Sequence, residues 1–467
     1  MMILGRKQQK TREGANRAGR VTVRALSTHL LAVSLALCVA GSAMADGEVT
    51  AIRGGDIYTI TSGVIKSGTI LIEDGKISQI GQNVALPKST KVIDAKGKVV
   101  MPGLVAAAAS MGGAGYSSRK IADSLDPYHY SVSLALASGV TTLFVYGQRP
   151  SDQEPVGGTN AVIKPTFGDL EGMLVKESVA ENLNISNSQW LRRTNFMLKL
   201  REAQSYLQKL ADYQQAQAKQ RKGQPPRKPS GTDAYIRLLK REAPARLRAS
   251  TADDILAALE IVDEFGIRII LEDAVEAWTV AEEIAKRDVA VVMTPRQKRR
   301  PNKEISRPSG SSLENAAILK KAGVKFAIIP TSPAFALWGI AGRDLMTLPV
   351  EAAFAVSGGL DEQTALEAIT ISAAEIIGAA DRVGSLQVGK DADIIVLDGH
   401  PFHYSTFVEL TFVNGKLMYD KKKSTYFSHI EHDGDLTDSI YGSGLSPMDP
   451  NRSPAAEGGL IPFDPNQ

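Results

Sequence analysis

A chain of 467 residues with 43% hydrophobic and 22% charged residues lies near the globular average, which excludes a disordered chain, a collagen and a disulfide miniprotein. Its length allows two or three domains, or one large α/β barrel with an appendage. The net charge of +3 comes from the first 45 residues, which hold seven basic residues against Glu13; the remainder carries 47 basic and 50 acidic residues and shows no electrostatic footprint for nucleic acid.

Residues 1–45 read as a secretory signal: basic residues from Arg6 to Arg24, an apolar run from Leu30 to Ala40, and Ala43-Met44-Ala45 as a small-residue cleavage site before Asp46. The apolar run is shorter than the ~20 residues that span a bilayer. A short anchor helix is the other reading of this segment. The expected protein is periplasmic, with no membrane contact after cleavage. Its one cysteine, Cys38, lies inside the apolar run and follows Leu37, where a lipoprotein signal would carry a small residue. The mature chain is then cysteine-free, which excludes thiol catalysis, cysteine metal sites and disulfides.

Residues 46–102 alternate short β-type runs with glycine turns. Thr69 to Ile72, Asp74-Gly75 and Lys76 to Ile80 predict a hairpin, because Asp and Gly both tolerate positive φ. Residues 103–385 change to strand and helix alternation. Few elements are assignable across 146–190; 191–221 predicts a long polar helix, and the basic, proline-rich run Arg221 to Gly231 reads as a solvated excursion. Ala252 to Phe265 predicts an amphipathic helix with Thr251 as N-cap and Gly266 just past its end. Then follow a strand Ile267–Leu271, a helix Val275–Arg287, a strand Val289–Met293, a helix Ser312–Ala322 closed by Gly323, and a strand Val324–Ile329. Residues 386–420 return to β texture: Asp393 to Leu397, Phe407 to Val413, the turn Asn414-Gly415, and Lys416 to Tyr419. Residues 421–467, rich in Gly, Pro, Ser and Asp, read as an extended or disordered tail. The expected class is α/β, a TIM-like (β/α)8 barrel with a composite β-sandwich domain built from both chain ends.

Four stretches, Val92 to Val105 (VIDAKGKVVMPGLV), Ala137 to Thr142 (ASGVTT), Ala252 to Ile255 (ADDI) and Asp381 to Asp393 (DRVGSLQVGKDAD), resemble in this order the metal-dependent amidohydrolase superfamily, in particular its imidazolonepropionase-like branch. The resemblance covers about Val49 to Tyr419. It implies zinc at the C-terminal mouth of the barrel, held by a His-x-His pair on strand one, single histidines after strands five and six, and an aspartate after strand eight, with the metal turning bound water into a nucleophile. At those positions this chain carries Ala108 and Ser110, Arg248, Asp273, and Thr331. Alanine and a lone hydroxyl do not replace imidazole, and a guanidinium repels a cation; Asp273 alone keeps a donor.

The chain has six histidines: His29 in the signal, His129 in an expected helix, His400 and His403 in the sandwich return, and His429 and His432 in the tail. The two spaced pairs are metal pairs on paper and read as exposed loop residues. Ser110, Ser332 and Thr331 find no barrel histidine to serve as base. Lys164, at a strand end, either faces the pocket or has a structural role.

The resulting expectation is a catalytically impaired pseudoenzyme with no cofactor, its pocket at Ala108, Ser110, Arg248, Asp273 and Thr331. It would bind a small-molecule ligand or act as the partner subunit of an active amidohydrolase homologue, as hetero-oligomer or homodimer. The alternative is an active hydrolase of carbon–nitrogen bonds, non-peptide or dipeptide-like, with an atypical or metal-free site drawing on Asp273, Glu272 and residues 146–190; zinc enters only there. Arg248 and Asp273, on adjacent strands, are expected to form an ion pair where the family holds its metal.

Overall fold

The computed structural model describes residues 49–111, 121–147, 156–157, 160–183, 190–219, 223–331, 335, 348–424 and 427–428. The expected signal, with Cys38 and His29, and nearly all of the expected tail, with His429 and His432, lie outside the described residues, as does Ser332. No helix among the described residues is long and apolar enough to cross a membrane.

The first five strands are β1 (Thr50–Tyr58), β2 (Val64–Glu73), β3 (Lys76–Gly81), β4 (Lys91–Asp94) and β5 (Val99–Pro102). The Asp74-Gly75 turn between β2 and β3 has positive φ at both residues, as its sequence predicts. Strand β1 is bulged between Arg53 and Ile57 and changes neighbour across the bulge, pairing β4 through residues 50–53 and β5 through residues 56–57. Such a bulge bends a sheet around its own inner face.

Gly103 then hands the chain from β5 to β6 (Leu104–Ala109), which pairs in parallel with β7 (Val140–Tyr146). A Cβ on Gly103 would lie 2.0 Å from Thr141 Oγ1 on β7, so only glycine lets the crossover pass this close. Gly103→Ala is expected to cost about 1–3 kcal/mol of stability through overpacking; urea denaturation of the mature protein checks it.

The stretch 146–190, where the sequence assigns few elements, holds an antiparallel excursion. After β8 (Val156–Gly157), β9 (Asn160–Ile163) runs antiparallel to β7, and β10 (Leu174–Glu177) runs antiparallel to β9. Parallel order resumes with β11 (Glu181–Leu183), β12 (Ala245–Ala249), β13 (Ile269–Asp273), β14 (Ala290–Met293) and β15 (Phe326–Ile328). The two curved sheets, β10-β9-β7-β6 and β15-β14-β13-β12-β11-β8, share one interior, and β15 returns against β6. Alternate residues of each strand fill it: Val105 and Ala107, Phe144, Val162, Ile270, Val292 and Ala327 form one buried cluster. This is a TIM-like barrel with one antiparallel interruption.

Local signals place the surrounding helices well. The long helix spans Trp190–Ala218 and is tied to its neighbour by Arg193–Glu260 and Arg201–Glu264. That neighbour is Ala252–Phe265, where Thr251 Oγ1 accepts from Asp254 N and Gly266 takes φ +65°. The helix expected over Val275–Arg287 is instead a turn of 3-10 helix at Ala277–Thr279 followed by Ala281–Lys286. Tertiary bonds break it: the buried Glu276 carboxylate accepts from Ala252 N and Gly310 N, and Trp278 Nε1 donates to Gly310 O.

The chain closes with β16 (Ile394–Leu397), β17 (Val408–Val413) and β18 (Lys416–Asp420), the last two joined by Asn414-Gly415 with positive φ at both residues. Strand β16 pairs β5 from Pro102 to Val99, so both chain ends form one continuous eight-stranded sheet around Ile52, Ile70, Ile72, Val100, Ile394 and Phe412.

Candidate functional site

The period-2 pattern of β7, β12 and β13 brings Tyr146, Arg246 and Glu272 together in the barrel interior. Arg246, 2% exposed, lies with its guanidinium carbon 3.9 Å from the centre of the Phe144 ring and 5.5 Å from that of Tyr146. Its Nε donates to Glu272 Oε1, and its Nη2 donates to the carbonyl of Ala107 at 2.8 Å. The Tyr146 hydroxyl donates to the same Glu272 oxygen. Nη1 is buried without a hydrogen-bond partner among the described residues. Burial works to lower the Arg246 pKa, but the Glu272 carboxylate and Tyr146 outweigh it and hold the guanidinium above its ordinary value. Burial pushes the Tyr146 hydroxyl well above its ordinary range, and the Glu272 charge adds to the rise.

The Arg248–Asp273 ion pair expected from sequence is present, with Nε 3.1 Å from Asp273 Oδ2, but it sits at the rim: Arg248 is 73% exposed and Asp273 9%. Asp273 also accepts from Ser250 Oγ at 2.5 Å and has φ +74°. Because the arginine is solvated, the buried-pair penalty does not apply. Arg248→Ala is expected to cost less than about 1 kcal/mol, measured by thermal or urea unfolding.

Ala108 is buried in β6, Ser110 is half-buried just beyond it, and Thr331 is exposed in a bend after β15. Of the five expected pocket positions, the structure joins Arg248 and Asp273. Sequence reasoning missed Arg246 and Tyr146. The signal for Arg246 was its spacing of two from Arg248 in ARLRA, which puts both on one strand face.

Lys164 is not at the mouth. Because β9 is antiparallel, the chain leaves it toward the opposite end of the barrel, where Nζ donates to Asp391 Oδ2 (2.8 Å), Asp393 Oδ1 (3.0 Å) and Asn414 Oδ1 (2.6 Å). It is fully buried. His129 caps the helix Tyr130–Ala137 through Nδ1, while His400 and His403 lie in the sandwich return, His403 bonded to Ser405. None of these three serves a nucleophile at the mouth.

Residues 244–418 match the model of the Amidohydrolase family. The chain is similar to a 5'-deoxyadenosine deaminase of Methanosarcina acetivorans, 60% identical over 43 residues, which is 9% of this chain and 10% of that protein. Dihydroorotases and imidazolonepropionases match over similarly short stretches. The chain thus matches only about a tenth of the length of its first curated relatives. Among solved structures, an amidohydrolase from Thermotoga maritima is 25% identical, covers 79% of this chain and 100% of its own, and superposes with a TM-score of 0.66.

These matches correct the expectation that the chain takes no cofactor. An adenosine deaminase from Xanthomonas campestris, covering 84% of this chain and 96% of its own at 17% identity and a TM-score of 0.43, has bound zinc. The donors described around this mouth do not fit such an ion. Glu272 is held by Arg246 and Tyr146, Asp273 is held by Arg248 and Ser250, and no group of three or more His, Cys, Asp or Glu among the described residues is placed to hold a metal.

Proposed function

We propose that this chain, whose residues 244–418 match the Amidohydrolase family model, is a secreted, periplasmic member of the amidohydrolase superfamily whose hydrolytic power is impaired and whose barrel mouth serves to bind a ligand or an active homologue. The observation that supports this reading is the Arg246 side chain lying across the barrel interior. Hydrolysis of a carbon–nitrogen bond needs a base within reach of an attacking water. Glu272 is the carboxylate best placed for that work, yet one of its oxygens accepts from both Arg246 and Tyr146. A guanidinium cannot take over as base.

A second reading, an active hydrolase of carbon–nitrogen bonds, is favoured by the relatives, which are a deaminase, dihydroorotases and imidazolonepropionases. Turnover of adenosine, dihydroorotate, imidazolone propionate and Xaa-Pro dipeptides by the mature protein, with and without added zinc, separates the two. The proposed reading expects less than about 0.001 s⁻¹, far under the ordinary enzyme range of about 1–1000 s⁻¹. Turnover inside that range on any of them refutes it. Cell fractionation checks the compartment, and a cytoplasmic protein with an uncleaved N-terminus overturns that part.

A further inference from the structure

The loop Thr294–Ser311, between β14 and the helix Asn315–Ala322, carries six cations (Arg296, Lys298, Arg299, Arg300, Lys303, Arg307) against the single acid Glu304. This local excess of +5 stands in a chain whose residues after 45 are net acidic. The loop follows the C-terminal end of a barrel strand, the face where barrels of this kind place recognition.

The fold invests buried groups in holding this loop. Glu276, 3% exposed, accepts from Gly310 N at 2.8 Å and pairs with Arg299 at 3.2 Å, and Trp278 fixes the Gly310 carbonyl at 2.9 Å. Gly310 has φ +87°, and a Cβ there would lie 2.8 Å from Pro301 N. Asn302 N and Ser309 Oγ close the loop across its tip at 2.9 Å. Arg296 and Arg307 are anchored to Glu351 and Asp253. What this scaffold presents is Lys298, Arg300 and Lys303, all exposed and without an ion pair among the described residues.

We propose that this loop is a docking arm for an acidic segment of a partner polypeptide. Three solvated cations on a fixed arm match a run of carboxylates, and a guanidinium pairs with a carboxylate through two parallel hydrogen bonds. Nucleic acid is the poorer fit, because no aromatic side chain lies between residues 295 and 311 to stack a base. A membrane surface is poorer still, since Ile305 is the only large apolar residue of the arm and is half-buried. The inference goes beyond the proposed function and stands whether or not the mouth hydrolyses anything.

The test is fluorescence anisotropy of labelled poly-L-glutamate of about 20 residues with the full-length mature protein, at about 50 and about 500 mM salt, since exposed charge pairing is screened. Binding should weaken at high salt. It should fall at least about tenfold in Lys298→Glu/Arg300→Glu/Lys303→Glu, and less than about twofold in the charge-matched control Lys88→Glu/Lys209→Glu/Lys219→Glu, whose three sites are exposed elsewhere. If the reversal variant does not fold, the glutamine version of the same triple is read in its place with the same expectation. Equal losses in both variants, no wild-type binding, or equally tight binding of oligo-dT of the same length each overturn the proposal. So does tighter probe binding after neutralising Glu431, Asp433, Asp435 and Asp438, which would make the chain's own tail the occupant.

Discussion

Replacing Glu272 with leucine is expected to destabilise the mature protein by about 3–5 kcal/mol, because it strands a guanidinium that is 1% exposed. The reverse change, Arg246→Met, is expected to cost less. Glu272 is 20% exposed, so its carboxylate can turn partly to water, and methionine preserves most of the volume beside Phe144. The double variant should cost less than the sum of the two, since an apolar pair of similar volume removes both charges together. Urea denaturation of the four proteins checks this. Strictly additive effects would show that the two side chains do not share their burial cost, and would remove the physical basis for placing Arg246 across the interior.

Lys164→Met is the second large effect, expected at about 3–5 kcal/mol, since one ammonium serves the two buried carboxylates Asp391 and Asp393. Arg382 remains beside Asp391 and protects it in part. Asp393 has no second cation among the described residues. Burial pushes its pKa above the ordinary value, an effect the Lys164 charge opposes. Burial also acts on Asp391, but the hydrogen bond and charge of Lys164, with Arg382, outweigh it and bring its pKa below the ordinary value.

A carboxyl with a raised folded pKa, like Asp393, gives stability that is present when protonated and lost as pH rises through that pKa. One with a lowered folded pKa, like Asp391, gives stability present at neutral pH and lost as pH falls through it. Removing Lys164 takes away the cation of Asp393, so the deficit of the variant should be largest at neutral pH and shrink in acid, where Asp393 accepts a proton. Denaturation curves at pH 7 and near the ordinary carboxylate range check this, and a deficit that grows on acidification would reject the assignment.

Legibility in the sequence differs by feature. The Asp74-Gly75 and Asn414-Gly415 turns, the Thr251 cap and the Gly266 stop are readable because each is a local backbone preference satisfied within a few residues. The union of both chain ends is readable because matching β texture at two ends needs a common sheet to satisfy its edges. The resemblance to the amidohydrolase superfamily rests on such short ordered segments, and the family match over 244–418 agrees with it.

Tertiary structure decided the rest. Arg246 and Arg248 share a strand face, but depth along the barrel made one a buried clamp and the other a solvated rim residue, and depth is set by how β12 registers against β13. Lys164 went to the far end because β9 pairs antiparallel with β7, a choice made by the excursion around it and not by its own four residues. The helix expected at Val275–Arg287 was broken by bonds from Glu276 and Trp278 to residues more than 20 positions away. Sequence by itself determined the local backbone; the partners of buried charges were settled only when register and strand direction brought distant segments together, because a buried charge is tolerated only where its counter-charge arrives with it.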